Sequence, residues 1–311
     1  MRISLSGAPA ESIDHLPSTV PAALADLPAL PSDARTLWEL LATLAAHDLG
    51  VARAIEPHLD AVGILQQAGV GPIPDGSWGV FAAEGGDEPL VFHDGTLSGL
   101  KPWCSLAGTL DRALVTAQLA NGERALFAVD LHDRGVAVLD GTWKARGLTE
   151  IESGPVRFTA VPATQIGDPG WYLSRPGFAW GGIAVAACWY GGAVGIARTV
   201  FAAAARPNPY LLMHLGAIDL ALGDARRALL EASALEGDPR VLAKRTRGTV
   251  ARVVEEVIAR AGHALGPAPL ALDAAHAKRV ADLQLYVRQH HAEKDDASLA
   301  EALLTVGSLP W

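Results

Sequence analysis

The sequence is poor in cysteine. Its 311 residues include only Cys104 and Cys188, each among small or apolar neighbours. Two isolated thiols cannot form the dense disulfide framework that stabilises small secreted domains, so we expect both to be buried and reduced. This composition indicates a cytoplasmic protein.

Positive charge is also scarce. Lys and Arg number 25 against 34 Asp and Glu, which gives a net charge of -9. Nucleic-acid surfaces need clustered basic side chains that neutralise phosphates. The sequence contains no such cluster, and we therefore expect no nucleic-acid partner.

Long apolar runs are few. Glu11, Asp14, Asp26 and several prolines interrupt the N-terminal segment, so we expect no secretory signal. One stretch, residues 178–197, is long enough to span a bilayer. It is rich in Gly and Ala and lacks both a flanking basic cluster and a companion span. We predict that it is a buried helix of a large α-domain, without membrane insertion.

The N-terminal part changes from irregular to helical. Residues 1–35 are rich in Pro, Ala and Ser and indicate an extended, loosely packed arm. A short N-terminal helical domain is predicted over residues 36–69, as a pair of helices with Ser32 or Asp33 as the first N-cap. Its leucines recur at helical spacing, at Leu37, Leu40, Leu41 and Leu44.

The middle of the chain has the texture of strands and the rest that of helices. Short apolar runs such as "RALVTAQLA" and "RALFAVDL", separated by turns such as "NGE" and "HDRG", predict an antiparallel, barrel-like β domain over residues 70–165. A C-terminal four-helix bundle is predicted over residues 170–305. Its candidate helices cover residues 180–205, 210–236, 239–265 and 272–304. The predicted fold class is α+β, mostly α.

Four stretches in this order resemble one family. They are "LATLAAHDLGVARAIEPHLDAVGIL", "SGLKPWCSLAGTLDRALVTA" with its Gly-x-Lys-x-Trp-x-Ser pattern, "GGIAVAACWYGGAVGIARTV", and the closing "RAGHALGPAPLALDAAHAKRVADLQLYVRQHHAEKD". Together they cover residues 36–305 and resemble the acyl-CoA dehydrogenase superfamily. The resemblance implies a FAD-dependent oxidoreductase that acts on acyl-CoA or another acyl thioester. It also implies a homodimer or tetramer, or a hetero-oligomer with a homologue.

The same resemblance assigns two flavin-contacting residues. Trp103 and Ser105 fall on the family's Trp and Ser/Thr that touch the isoalloxazine ring. An aromatic wall and a hydroxyl donor suit a flavin, because such contacts tune its electronics. The alternatives are a core tryptophan and a strand-end hydroxyl that bonds its own backbone.

Two further cofactor contacts are altered in this chain. The loop "AAEGGDEP" stands where relatives carry Thr-Glu-Pro-x-x-Gly-Ser-Asp, so Glu84 and Gly86 keep part of the pattern and Ala83 replaces the flavin-facing hydroxyl. The link "ARPNPYLLMH" is shorter than the family's, which supplies an Arg and an aromatic residue to the FAD of a neighbouring subunit. Arg206 is the remaining candidate for a diphosphate contact, and a solvated helix end is the alternative.

The family's catalytic base is absent from its usual positions. Relatives remove an α-proton with a glutamate whose pKa is raised by an apolar pocket, while the β-hydride goes to the flavin. By resemblance this glutamate falls at or near Arg288, or near Val185 in the first C-terminal helix. Neither residue is a carboxylate.

Three explanations compete for the missing base. Glu84, Glu255 or Glu256 could serve from a new direction, or His290 or His291 could transfer the proton, since imidazole titrates near neutral pH. Alternatively, the chain no longer dehydrogenates and pairs with an active homologue. A flavin-dependent monooxygenase of the same fold is the alternative function.

The segment "YVRQHHAEKDD" contains the two histidines. An apolar stripe at helical spacing leads to it, formed by Val280, Leu283 and Val287. Continuing this helix turns His290 inward and His291 sideways. A metal site would pair His291 with Asp295 but lacks a third ligand, so we predict no metal. An acyltransferase-type His-His-x-x-x-Asp motif lacks its following Gly. Two interpretations remain. The segment is a packing helix with a half-buried histidine, or a histidine reaches the flavin or the substrate.

Overall fold

The computed structural model describes residues 2–7, 16–85 and 88–307. N-terminal helices, a middle sheet and C-terminal helices follow one another in the predicted order, and the mostly helical α+β class is confirmed. Gly86 in the predicted flavin loop lies outside the described residues, as do Glu11 and Asp14.

The N-terminal segment is more closely packed than predicted. It contains helix α1 (Val20–Ala25), and Ile3 and Leu5 are buried in the main core. The backbone N–H of Ile3 donates to Thr43 Oγ1 at 2.8 Å, and that of Leu5 donates to Glu39 Oε1 at 2.8 Å. An extended, loosely packed arm is therefore wrong for these residues, because their apolar side chains reach the core and their backbone is anchored by polar groups of the next helix.

The predicted helical pair is present as α2 (Ala34–His47) and α3 (Leu49–Gln67). Asp33 is the N-cap of α2, and its side chain accepts from Thr36 N at 2.8 Å. Asp48 separates the two helices and caps the second one, since its Oδ1 accepts from the backbone at 3.1 Å. Gly69, with φ of 71°, follows the end of α3.

The middle sheet has eight strands in the described part of the chain. They are β1 (Trp78–Phe81), β2 (Val91–His93), β3 (Thr96–Lys101), β4 (Arg112–Gln118), β5 (Arg124–Asp130), β6 (Val136–Val138), β7 (Val156–Pro162) and β8 (Thr164–Ile166). Their order is β6-β7-β3-β2-β4-β5-β8, with β1 beside β4. Most pairs are antiparallel as predicted, but β4 pairs in parallel with β1 and with β2. The β2–β3 hairpin intervenes between β1 and β4, so β4 runs in the direction of β1.

The C-terminal helices differ from the prediction at their end. They are α4 (Trp171–Ser174), α5 (Pro176–Ala203), α6 (Pro209–Ala232), α7 (Pro239–Leu265), α8 (Ala268–Leu272), α9 (Ala274–Tyr286) and α10 (Glu293–Val306). A single closing helix over residues 272–304 is wrong. Asp273 caps α9, a 3-10 turn follows at Val287–Gln289, and Ala292 has φ of 44°, which a right-handed α-helix does not allow.

Helix α5 is the apolar segment of residues 178–197, extended at both ends. It is long and apolar enough to cross a membrane, yet 72% of its most apolar window is buried inside the chain. It packs along α2 and α7. Gly191 permits the close approach of α2, because a Cβ there would lie 2.1 Å from the Ala42 carbonyl oxygen. Cys104 and Cys188 are buried and free, as predicted.

Candidate functional site

A cavity of about 960 Å³ lies where α3, the sheet, α5, α7 and the segment after α9 meet. Its volume is within the range of small-molecule and cofactor sites. Six of the seven predicted site residues line it: Ala83, Glu84, Trp103, Ser105, His290 and His291. Arg206 is not among the lining residues. It lies exposed after the end of α5.

Trp103 forms an exposed wall of this cavity. Its side chain is 62% exposed, and its ring stands edge-on to that of Trp143 with 6.4 Å between centroids. The alternative of a core tryptophan is therefore wrong. Its backbone adopts the left-handed conformation, with φ of 59°, which is rare for a bulky side chain. Such conformations persist where the surroundings impose them, commonly at ligand sites.

Ser105 links two parts of the cavity wall. Its Oγ accepts a hydrogen bond from Arg53 Nη2 on α3 at 2.9 Å and lies 2.7 Å from Ser153 Oγ. The alternative, a hydroxyl bonded to its own backbone, is not what the described contacts show. The backbone on either side is also fixed, since Cys104 N donates to Gly154 O at 3.0 Å and Leu106 N to the Glu152 carbonyl at 2.7 Å.

Glu84 is held by two cations at the edge of the cavity. Its Oε1 lies 3.1 Å from Lys101 Nζ and 3.3 Å from Arg124 Nε, and it also accepts from Thr116 Oγ1 at 3.0 Å. Lys101 is buried, and burial lowers its pKa while the Glu84 carboxylate opposes that shift. These contacts anchor the loop that carries Ala83. Proton transfer by Glu84 stays a prediction.

The two histidines lie in the turn between α9 and α10. The His290 side chain is only 9% exposed, whereas that of His291 is 64% exposed. His290 Nδ1 accepts from Ala292 N at 3.3 Å, which assigns the proton of the neutral ring to Nε2, 3.9 Å from Asp295 Oδ2. Burial lowers the pKa of His290. No group of three His, Cys, Asp or Glu side chains in the described residues could hold a metal ion.

Glu56 is a lining residue that the sequence did not single out. It lies on α3, is 7% exposed, and its Oε2 is 3.8 Å from Arg53 Nη1. Burial raises its pKa to about 7, against the opposing effects of Arg53 and Arg247 and with a contribution from Asp60. A carboxyl group of this pKa can both accept and donate a proton at neutral pH.

The remaining polar walls are ordered by three arginines. Arg175 Nη2 lies 3.3 Å from Asp60 Oδ1, and Arg247 donates to the Gly182 carbonyl at 2.7 Å. The Arg53 guanidinium lies 5.6 Å from the centre of the Tyr286 ring. The cationic lining side chains are Arg53, Arg175, Arg240, Lys244, Arg247, Arg288 and Lys294, and the acidic ones are Glu56, Asp60, Glu84 and Asp295. This cationic excess, in an acidic chain, suits an anionic ligand.

Several solved structures share this architecture. TdsC from Paenibacillus sp. A11-2, a dibenzothiophene monooxygenase, in complex with FMN and indole, has a TM-score of 0.75 at 18% identity over 89% of this chain and 85% of that chain. KijD3, in complex with FMN and a dTDP-linked amino sugar, has a TM-score of 0.76 at 20% identity, with 94% and 85% covered. Butyryl-CoA dehydrogenase from Megasphaera elsdenii has a TM-score of 0.77 at 16% identity, with 88% and 82% covered.

The chain has the acyl-CoA dehydrogenase fold. At identities of 20% or less, the likeness establishes the fold and not the reaction. The sequence itself matches no protein-family model and no curated protein.

The two positions where the resemblance places the base of an acyl-CoA dehydrogenase both line the cavity. Val185 on α5 and Arg288 in the 3-10 turn are lining residues, and neither carries a carboxylate. Arg288 is paired with Glu255, and Glu256 is bonded to Arg260 at 2.7 Å. Glu255 and Glu256 do not line the cavity. They therefore make poor substitutes for the missing base.

Glu56 had a signal in the sequence that could have revealed it. Arg53, Glu56 and Asp60 are spaced so that they share one face of α3, a helix whose other residues are mostly apolar. Charged residues are rarely buried unless they are paired or functional. Pro57 inside the same helix is a second irregularity.

Proposed function

We propose that this protein is a flavin-dependent oxidoreductase whose cavity binds the isoalloxazine ring beside Trp103 and Ser105. The carrying observation is that Ala83, Trp103 and Ser105, which the resemblance assigns to flavin contact, line one cavity of suitable size, while Arg206 does not. The fold shared with FMN-bound TdsC and KijD3 and with butyryl-CoA dehydrogenase supports the proposal.

The residues of the cavity fit a flavin. Trp103 offers an exposed aromatic face, and the Ser105 hydroxyl is held in place by Arg53. Within the described residues, Arg53 Nη1 is a buried donor without a hydrogen-bond partner, and such donors call for an acceptor. The cationic excess suits a phosphate. A bound flavin would supply the acceptance or donation of electrons, which no side chain here can provide.

The form of the flavin has two candidates. FAD is the cofactor that the family resemblance implies. FMN is favoured by the short connection between α5 and α6, residues 204–208, where Arg206 is the candidate for a contact to the diphosphate of a neighbouring FAD. FMN is also the flavin in the TdsC and KijD3 complexes. Titration of the purified apoprotein with FMN and with FAD distinguishes the two.

The proposed reaction is oxidation of an acyl thioester, with a substituted base. The fold shared with butyryl-CoA dehydrogenase supports this substrate class, and the cationic side chains suit the phosphates of coenzyme A. In this reaction the chain binds the thioester, excludes water and removes one proton. Val185 and Arg288 cannot remove it, so the base must be a different residue.

Monooxygenation is the second candidate, and His290 favours it. His290 is a buried histidine that lines the cavity, where neither Val185 nor Arg288 supplies a carboxylate, and the solved structure of TdsC is that of a monooxygenase with this fold. A third possibility is a subunit without catalytic activity that pairs with an active homologue.

One set of measurements separates these functions. The purified protein is mixed with FMN or FAD and its visible spectrum recorded. Anaerobic bleaching by a panel of acyl-CoA thioesters supports dehydrogenation. Bleaching only by an external flavin reductase, followed by oxygen consumption with substrate turnover, supports monooxygenation. A protein that stays colourless with both flavins refutes the flavin proposal and supports the non-catalytic subunit.

Self-association is also proposed, through α6. Its exposed face carries Tyr210, Met213 and Leu220, spaced to lie along one side of the helix. Exposed apolar patches of this kind mark protein interfaces. Sedimentation of the wild type as a dimer or tetramer, and of Leu220→Glu as a smaller species, would support a homo-oligomer. The cytoplasmic location stays a prediction.

A further inference from the structure

Glu56 stands at the meeting point of the cavity walls. It projects from α3, and the charged or titratable groups that act on it or respond to its charge come from several elements. Arg53 and Asp60 share its helix, and the others are Tyr172 on α4, Cys188 on α5, Arg247 on α7 and Tyr286 on α9. Two of these groups are cations. Yet burial outweighs their attraction, because it disfavours the ionised form of the carboxyl.

The helix is irregular at this residue. Pro57 has no N–H, so it cannot donate to the Arg53 carbonyl one turn earlier, and its ring disfavours a helical conformation at Glu56. A proline inside a helix is strongly unfavourable relative to alanine. Burying a carboxyl beside it adds a second unfavourable feature. Locally unfavourable features, such as a proline inside a helix next to a buried carboxyl, concentrate at functional sites when a folded chain retains them together.

A purely structural role explains these features less well. Buried carboxyls that serve structure accept several hydrogen bonds, as Glu39 does from Leu5 N and Arg35 Nε at 2.8 and 3.1 Å. Glu39 and Glu56 are both 7% exposed. Glu56 instead faces the cavity, and its described ion pair, with Arg53, is long at 3.8 Å.

We propose that Glu56 is the proton-transfer residue of this site and takes the role of the carboxylate missing at Val185 and Arg288. This inference rests on the proposed function. In the forward step the Cα–H bond of a bound acyl thioester breaks. The proton passes to a Glu56 carboxylate oxygen and the electron pair stays on the substrate as its enolate. A bound oxidised flavin would accept the hydride released when the Cβ–H bond breaks, and the electron pair on Cα would form the double bond of the enoyl thioester, which leaves Glu56 protonated.

The test compares Glu56→Gln with Glu39→Gln, a matched loss of an equally buried carboxyl outside the cavity. The first measurement uses the apoprotein with isotopically labelled glutamate and follows the infrared band of protonated carboxyls against pH. A carboxyl that titrates near pH 7 should be present in the wild type and in Glu39→Gln and absent from Glu56→Gln.

The second measurement uses the flavin-loaded proteins in D₂O without oxygen, with saturated acyl-CoA thioesters as probes. Exchange of the α-proton and bleaching of the flavin should fall by about 10²- to 10⁴-fold in Glu56→Gln, with flavin content unchanged. Glu56→Asp keeps a carboxylate and covers the case in which the glutamine variant does not fold. Its exchange should fall by about 10²-fold, since the shorter side chain displaces the carboxylate by about 1 Å.

Each result has a distinct meaning. Wild-type exchange rates in flavin-loaded Glu56→Gln, or in Glu56→Asp if only that variant folds, overturn the inference. Absence of the neutral titration from the wild-type apoprotein overturns it as well. If the wild type binds no flavin, or reacts with no thioester, the proposed function fails and the catalytic role falls with it. The wild-type measurements alone reveal a failure of the proposed function, whereas a failure of the Glu56 assignment appears only in the comparison with the variants.

Discussion

Arg53 joins Ser105 to Glu56. Its Nη2 donates to Ser105 Oγ at 2.9 Å, and its Nη1 lies 3.8 Å from Glu56 Oε2. One guanidinium on α3 thus contacts both the residue assigned to the flavin and the buried carboxyl. The fixed, planar geometry of arginine lets it serve two partners at once.

Replacing Arg53 should therefore change two properties together. In Arg53→Met the carboxyl loses a nearby cation, and its pKa should rise further above about 7. The Ser105 hydroxyl also loses its donor, which should weaken flavin binding. Infrared titration of the apoprotein and flavin titration measure the two effects. Arg53→Lys keeps the charge and should shift the Glu56 pKa less. A lower pKa in Arg53→Met would contradict this account.

Trp103 should matter for the cofactor and little for folding. Its side chain is largely exposed, so Trp103→Ala should change the free energy of unfolding by less than about 0.5 kcal/mol. Flavin affinity should fall by about tenfold, as expected when a stacking partner worth roughly 1.4 kcal/mol is removed. Trp103→Phe should keep most of the affinity. Unchanged flavin occupancy in Trp103→Ala would remove the cofactor assignment.

Stability of the apoprotein should depend on pH through Glu56. Its pKa is raised from an ordinary value of 4.5 to about 7, so the folded state binds the proton more tightly than the unfolded state. The resulting stabilisation is complete below pH 4.5 and is lost as the pH rises through about 7. The loss amounts to about 3 kcal/mol. Urea unfolding between pH 4 and 8 should show this decline in the difference between the free energies of unfolding of the wild type and Glu56→Gln, because the contributions of Asp60, Asp282 and His290 cancel in that difference. A difference that does not change with pH would refute the assignment.

His290 should contribute in the opposite direction. Burial holds its pKa below 6.5, so the unfolded state gains the proton first as the pH falls. The wild type should lose stability below pH 6.5 through this residue, and His290→Gln should lose less. Turnover measured on the same variant separates packing from catalysis. A packing residue leaves the rate per folded molecule unchanged, whereas a catalytic one lowers it.

Asp282 on α9 connects that helix to the loop between β6 and β7. It is buried, and its carboxylate accepts from Leu148 N at 2.6 Å and from Lys278 Nζ at 2.6 Å. Asp282→Ala leaves both donors without this acceptor and should lower the free energy of unfolding by about 2 to 4 kcal/mol. Leu148 lines the cavity, so flavin affinity should fall as well. Lys278→Met keeps the Leu148 contact and should retain flavin better. Equal affinity losses in the two variants would contradict this coupling.

Local patterns in the sequence predicted much of the fold. Helical spacing and the Asp33 cap identified α2, and alternating apolar runs with turn residues identified β4 and β5. These features depend on neighbours along the chain, so a single sequence carries them. The resemblance added which distant segments meet, and Trp103 and Ser105 do share a cavity with His290.

Other features depend on contacts that spacing does not encode. Leu5 is buried, and its backbone N–H donates to the side chain of Glu39, which lies 34 residues further along the chain. The apolar stripe that leads to His290 continues past the true end of α9, because the chain turns at Ala292 without a Gly or Pro that would mark the end of the helix. The position of Glu56 at the cavity also depends on distant contacts, although its charge on a mostly apolar helix is visible in the sequence. The side of α3 that carries Glu56 becomes a wall of the cavity only where α3, α5 and α7 meet.

The packing of α5 on α2 has a consequence for folding during synthesis, because α2 is made well before α5. It is the main packing partner of α2, but more than a hundred residues separate the two in the chain. As domains emerge from the ribosome N-terminus first, the apolar faces of α2 and α3 are made long before the helix that covers them. A nascent chain that has completed the sheet but not α5 therefore exposes Trp38 and Leu41, which are buried in the finished protein. The apolar faces of α2 and α3 can be covered by α5 only after residue 203 has been made and has emerged from the ribosome.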